Sequence, residues 1–282
     1  MSRLRLPVLV LVLLAGCTIG TERSSLPKTR SDSDQVSSGS VASGRSFDAM
    51  LAAGCAQVHQ RNYTGAVATF RRIEELHPGH PDLEQVRLLL SACQFEAGRR
   101  SLAISQREGV ASQTSSDSKA QALQGLARME LTEELYEKAA GHFEEAARLE
   151  TDNQRRAAAH YLQGAALQSA GKFSAARAVL RTAGDLAPGT ETARQSELRL
   201  GYPDHFAVQT GAFKTFANAE DQRRALAGRG FPAESMVLNT VGGKLYCVRV
   251  GKFSDRKAAL ALQDKLRAAR VLPAGTALSV RP

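Results

Sequence analysis

The chain has no tryptophan, and aromatic residues make up only 5 % of its 282 positions. Four cysteines are present, and none sits in a C-x-x-C or similar metal-ligand spacing. His77-Pro78-Gly79-His80 has no cysteine or acid cluster beside it and reads as a turn between helices. No nucleophile–histidine–acid set stands out, and Glu133-Glu134 and Glu144-Glu145 read as solvated helix surface. These absences argue against a metal site, a bound cofactor and an enzyme. Long apolar runs are missing too. The longest, Leu6 to Leu14, falls well short of the roughly 20 residues a permanent membrane helix needs.

That short run follows Arg3 and Arg5 and ends in Leu14-Ala15-Gly16-Cys17. A basic start, an apolar stretch and a small-residue site form an export signal. The four closing residues resemble a bacterial lipobox. The resemblance implies that Cys17 becomes the first mature residue and carries a lipid, with residues 1–16 removed. Thr18 follows it, where an aspartate would oppose sorting to the outer membrane. The expected location is therefore the outer membrane, anchored by lipid and facing the periplasm. Acyl chains anchor because each buried methylene contributes about 0.8 kcal/mol. Residues 17–45, rich in Ser, Thr and Gly, read as a disordered tether.

The formal charge of +9 is unevenly spread. Residues 46–200 carry 18 basic and 19 acidic side chains, whereas residues 201–282 carry 13 basic and six acidic. Anionic or polar envelope surfaces are the matching partners for a basic C-terminal part. A solvated basic surface without a specific partner is the plainer alternative.

Residues 46–188 are Ala-rich and repetitive. Ala66, Ala103, Ala139 and Ala176 recur at spacings of 37, 36 and 37 residues, and Phe70, Phe143 and Leu180 follow three of them by four. Gly54, Ser91, Ala127 and Gly164 form a second series of small residues. A period of this size implies stacked helical hairpins. The pattern resembles the tetratricopeptide repeat, in which small residues let paired helices approach closely. The second unit fits least, because Ser101 to Ser118 is polar and poorly amphipathic. Such arrays leave a groove for a protein partner, which no cluster of residues identifies here. Cys55 and Cys93 lie just after neighbouring small positions, so they form either a disulfide or two buried thiols. Residues 189–203 read as a short helix and linker.

From residue 204 the pattern changes to strand–helix alternation. Strands are expected at 205–209 (ended by Gly211), 233–239, 244–250 and 277–280. Helices are expected at 218–228 and 255–268, the latter capped by Ser254. The order βαββαβ gives a split βαβ sandwich, one sheet with helices on one face, as in ferredoxin-like and RNA-recognition folds. The fold class is thus multi-domain: an all-α helical-hairpin array followed by an α+β module. Alternation sends Tyr246, Val248 and Val250 toward the helices, leaving Leu245, Cys247 and Arg249 on an open face beside Gln209. That face lacks the aromatics that stack RNA bases, and export also argues against a nucleic-acid partner.

Three segments carry a more specific resemblance. They are FAVQTGAF (206–213), GFPAESMVL (230–238) and LYCVRVGKFSDRKAALALQDKL (245–266), which together resemble the SPOR domain. The resemblance implies binding of peptidoglycan glycan strands stripped of stem peptides, through the open sheet face. Carried over by position, the binding residues are Gln209, Ala212, Leu245, Cys247 and Arg249. Cys247 stands where an arginine is common and Ala212 where some members have serine. Taken together, the sequence describes a lipid-anchored adaptor for cell division or wall remodelling, enriched at the septum. The alternative is a repeat scaffold for outer-membrane or trans-envelope assembly that uses the wall module only for retention.

Overall fold

The structure is a computed structural model of the 282-residue chain. It describes residues 46–113, 116–240, 242–270 and 279–281. Cys17, the export signal at 1–16 and the tether at 17–45 lie outside the described residues. The chain divides after Glu133 into two compact units.

Among the described residues, the first unit holds five helices: α1 (Phe47–His59), α2 (Tyr63–Leu76), α3 (Leu83–Glu96), α4 (Arg100–Gln113) and α5 (Ser116–Thr132). Its main core joins Met50, Val58, Val67, Phe70, Ile73, Leu90 and Met129. The small-residue series explains the close packing. A Cβ added at Gly54 would lie 2.4–2.9 Å from three ring atoms of Phe70, whose side chain is fully buried. Helix α4 buries an arginine on its inner face. Arg107 is 5 % exposed, and its Nη2 donates to the Leu88 carbonyl at 3.1 Å. A Cβ at Gly125 of α5 would fall 1.4 Å from Arg107 Nη1, so glycine is what leaves room for the guanidinium. Burial, then the charge of Arg128, pulls the Arg107 pKa down to about 10.

The second unit continues the array with α6 (Tyr136–Leu149), α7 (Asn153–Ser169), α8 (Phe173–Leu186) and α9 (Glu191–Leu200). Ala139, Phe143, Ala176 and Leu180 are fully buried. A Cβ at Gly164 would meet Leu180 Cγ at 2.6 Å, which repeats the Gly54–Phe70 contact. Helix starts are capped by side chains: Asn62 Oδ1 accepts from Gly65 N, Asp152 Oδ1 from Arg155 N and Thr190 Oγ1 from Ala193 N.

The turns inside the four hairpins share one device. Arg61, Gly98, Glu134 and Gly171 all have left-handed φ, at 58°, 85°, 62° and 79°, spaced 37, 36 and 37 residues apart. In three of them the residue after this position donates back across five residues (Asn62 to Gln57, Arg99 to Gln94, Lys172 to Leu167). This is a Schellman closure, which satisfies carbonyls at the helix end. Two of the four positions are not glycine and carry the strain of that conformation.

After α9 come β1 (Phe206–Phe213), α10 (Phe216–Ala227), β2 (Ala233–Thr240), β3 (Gly243–Phe253), α11 (Arg256–Ala268) and β4 (Ser279–Arg281). The four strands form one antiparallel sheet in the order β2-β3-β1-β4. Val208, Val248 and Val250 pack with Leu226 and Leu266 of the two helices, and Tyr246 and Phe213 flank that core. The expected βαββαβ module is therefore present. Gly211 does not end the first strand. The register shifts between Gln209 and Gly211, and the strand continues to Phe213 through that bulge. The cap of α11 is Asp255 rather than Ser254, with its carboxylate accepting from Lys257 N and Ala258 N.

Candidate functional site

The sheet face opposite α10 and α11 is where sequence alternation places the binding residues. Alternation holds, but the face is not open. Cys247 is 1 % and Arg249 6 % exposed. Within the second unit, the array lies close over this face. Phe173 of α8 meets Phe206 of β1 at 5.2 Å between ring centroids. A Cβ at Gly171 would sit 3.1 Å from the Phe206 ring and 3.2 Å from the Ser254 carbonyl. Arg256 at the start of α11 bridges to Glu134 at 3.3 Å and lies over the Tyr136 ring at 5.3 Å.

Between the two parts is a cleft of about 440 Å³. The sheet contributes Gln209 from β1, Met236 and Leu238 from β2, and Cys247 and Arg249 from β3. The array side contributes Tyr136, Ser169 and Arg199, with Tyr202 on the turn after α9. Gln209, Cys247 and Arg249 are thus brought together, with Gln209 opposite Arg249 across the β1–β3 ladder. Ala212 pairs with Cys247 in the ladder but does not line the cleft, and neither does the half-buried Leu245. The residues missed from sequence are those of the array. Nothing in their spacing says which helix end meets the sheet.

The cleft is strongly basic. Arg199, Arg249, Arg256 and Arg281 line it, and its described lining contains no aspartate or glutamate. Arg249 Nη2 donates to the Arg281 carbonyl at 2.9 Å, and its Nη1 approaches Met236 Sδ at 3.3 Å. Its Nε is buried without a partner. Burial pulls the Arg249 pKa down and pushes the Cys247 thiol up. Arg199 is held in place: Nε donates to Tyr161 Oη at 3.1 Å and Nη1 to Gln168 Oε1 at 3.0 Å. The Gln209 amide makes no side-chain hydrogen bond among the described residues, so its donor and acceptor are available to a ligand.

Cys93 is a free, buried thiol, so the disulfide between Cys55 and Cys93 that the sequence allowed does not form. Burial, reinforced by Glu96, pushes its pKa up to about 12. Among the described residues, no group of three or more His, Cys, Asp or Glu could hold a metal ion. None of the described helices is long and apolar enough to cross a membrane.

The architecture is therefore a helical-hairpin repeat array joined to a split βαβ sheet module. Comparison with known families names both parts. Residues 202–274 match the family model of the SPOR domain, and residues 48–80 match that of a tetratricopeptide repeat. No curated protein matches the chain. The protein carries a tetratricopeptide-like repeat and a C-terminal SPOR domain. Both are binding and scaffold domains. The first points to protein interaction and the second to peptidoglycan binding in the periplasmic envelope.

Proposed function

We propose that this protein is a lipid-anchored periplasmic adaptor. Its SPOR domain holds glycan strands stripped of stem peptides, and its repeats hold a protein partner during cell division or wall remodelling. Cys17 provides the lipid anchor, most simply in the outer membrane, and residues 17–45 provide reach. The observation that carries this reading is the basic cleft on the SPOR sheet face, where the unengaged Gln209 amide sits opposite Arg249. A sugar strand offers hydroxyl, N-acetyl and carboxylate groups, which are the partners that amide and guanidinium groups bond. Removal of stem peptides lets the strand enter a cleft that branched strands cannot. The recruiting signal is then the stripped glycan itself, and septal enrichment follows from where it accumulates.

Co-sedimentation of the purified protein with whole sacculi tests this, before and after amidase removal of stem peptides, alongside a Gln209→Ala variant. Binding that rises after amidase treatment and falls in the variant supports the reading. Equal binding to both preparations, or none, overturns it.

A further inference from the structure

Arg249 is nine-tenths buried, yet among the described residues it forms no ion pair, and its Nε has no partner. A buried cation without a directly bonded counter-charge is costly unless a ligand supplies one. Three more arginines line the same cleft. Arg256 pairs with Glu134 at 3.3 Å, and Glu234, the ladder partner of Arg249, is engaged by Lys252 at 2.7 Å. Low-dielectric walls focus such a field and favour an anion. The walls come from two different parts of the chain. Gln209 and Arg249 belong to the sheet, whereas Tyr136 and Ser169 belong to the repeat helices and Tyr202 to the turn that follows α9.

We propose that the cleft is a composite site, completed by the repeat array, that takes a carboxylate-bearing amino sugar. This rests on the glycan-binding reading above and specifies its ligand. A muramic-type sugar carries a lactyl ether whose carboxyl is tied up as an amide while the stem peptide is attached. Hydrolysis of that amide leaves a free carboxylate. Arg249 recognises this carboxylate through charge-assisted hydrogen bonds. The Gln209 amide bonds the polar substituents of the sugar, and Tyr136 and Tyr202 supply ring faces on the array side. The cleft volume of about 440 Å³ falls within the roughly 300–1,000 Å³ of small-ligand sites, enough for a short saccharide segment. Charge therefore selects the stripped strand together with its smaller bulk, and the repeats take part in wall recognition.

The test is calorimetric titration of the full chain with a muramic-acid disaccharide bearing the free lactyl carboxylate, and with its carboxamide. The acid is expected to bind at least about tenfold tighter, as charged hydrogen bonds generally do over neutral ones. Arg249→Gln should bring the acid-to-amide ratio close to one, and Arg249→Lys should keep part of it. Tyr202→Ala and Tyr136→Ala should weaken both ligands several-fold while leaving the ratio in place. Equal binding of acid and amide by the unaltered protein overturns the carboxylate assignment without requiring any variant to fold. Unchanged affinity in both tyrosine variants, with far-ultraviolet circular dichroism like that of the parent, overturns the composite site, and tighter binding would show that the array blocks the face. Retained binding of stripped sacculi in either case leaves the glycan-binding reading standing. Failure of the parent to bind acid, amide and stripped sacculi overturns both.

Discussion

Replacement of Gly54 by alanine sets two well-measured effects against each other. In an exposed helix interior, Gly→Ala stabilises by about 1 kcal/mol. At Gly54 the new Cβ would lie 2.4, 2.8 and 2.9 Å from three ring atoms of Phe70. Carbon pairs are comfortable at about 3.5–4.0 Å, so the ring must retreat by about 1 Å. It has no free space to take, because Phe70 is fully buried among Ala66, Val67 and Ile73. Overpacking of this kind costs about 1–3 kcal/mol, and a rigid ring belongs at the upper end. The net expectation is a loss of about 1–2 kcal/mol. Local hydrogen exchange of α1 and α2 reads this without assuming that the whole chain unfolds together, and 2 kcal/mol appears as roughly 30-fold faster exchange. Phe70→Leu in the same chain should recover part of the loss, with a coupling of about 1 kcal/mol or more between the two sites. Slower exchange in Gly54→Ala alone would show that propensity wins, and would refute close approach at the small position as the basis of the repeat.

Four further outcomes follow from the same geometry. Gly171→Val combines a left-handed φ of 79° with a close approach to Phe206 and Ser254, so it should cost roughly 2–3 kcal/mol, seen as faster exchange in β1 and α7; exchange like the parent's would contradict that contact. Arg61→Gly should stabilise α1 and α2 by about 0.5–1 kcal/mol in the same measurement, because φ of 58° strains arginine and not glycine. The hydrogen bond from Arg223, then that from Arg224, holds the Glu220 carboxyl at about 2; its contribution is complete above the ordinary value of 4.5 and disappears as pH falls toward about 2, so a carboxyl NMR titration with a midpoint near 4.5 would count against it. Cys93, with its pKa pushed up to about 12, should resist iodoacetamide at pH 8 until urea is added, and labelling of the folded protein would contradict its burial.

The repeat array was legible because its determinants are local and periodic. Ala66, Ala103, Ala139 and Ala176 keep their spacing because each must fit the same gap, and all four are fully buried. The hairpin turns were only half legible. Gly98 and Gly171 announce a left-handed residue, whereas Arg61 and Glu134 adopt the same backbone without any signal in their side chains. Helix α4 looked weak because its central buried residue is Arg107, whose site is formed by the missing side chain of Gly125 and a carbonyl of Leu88. A charged residue on a buried face cannot be distinguished in sequence from one facing water, since its partners lie on other helices.

The same reasoning explains why the sheet face was half right. Strand alternation has a period of two, so it fixed which side Cys247 and Arg249 occupy. It says nothing of what lies over that side. A free sheet face was the natural expectation for a module whose two helices both pack on the opposite surface. In the structure, Phe173, Gly171 and Tyr136 bring the array against the sheet, and Arg249 becomes a buried cation in a cleft. That change alters the physical account of binding. On an exposed face an arginine is screened by water and adds little selectivity. Within a walled cleft lined by three other arginines, the same guanidinium is withdrawn from water, and its surroundings are set by the repeat helices as well as by the sheet.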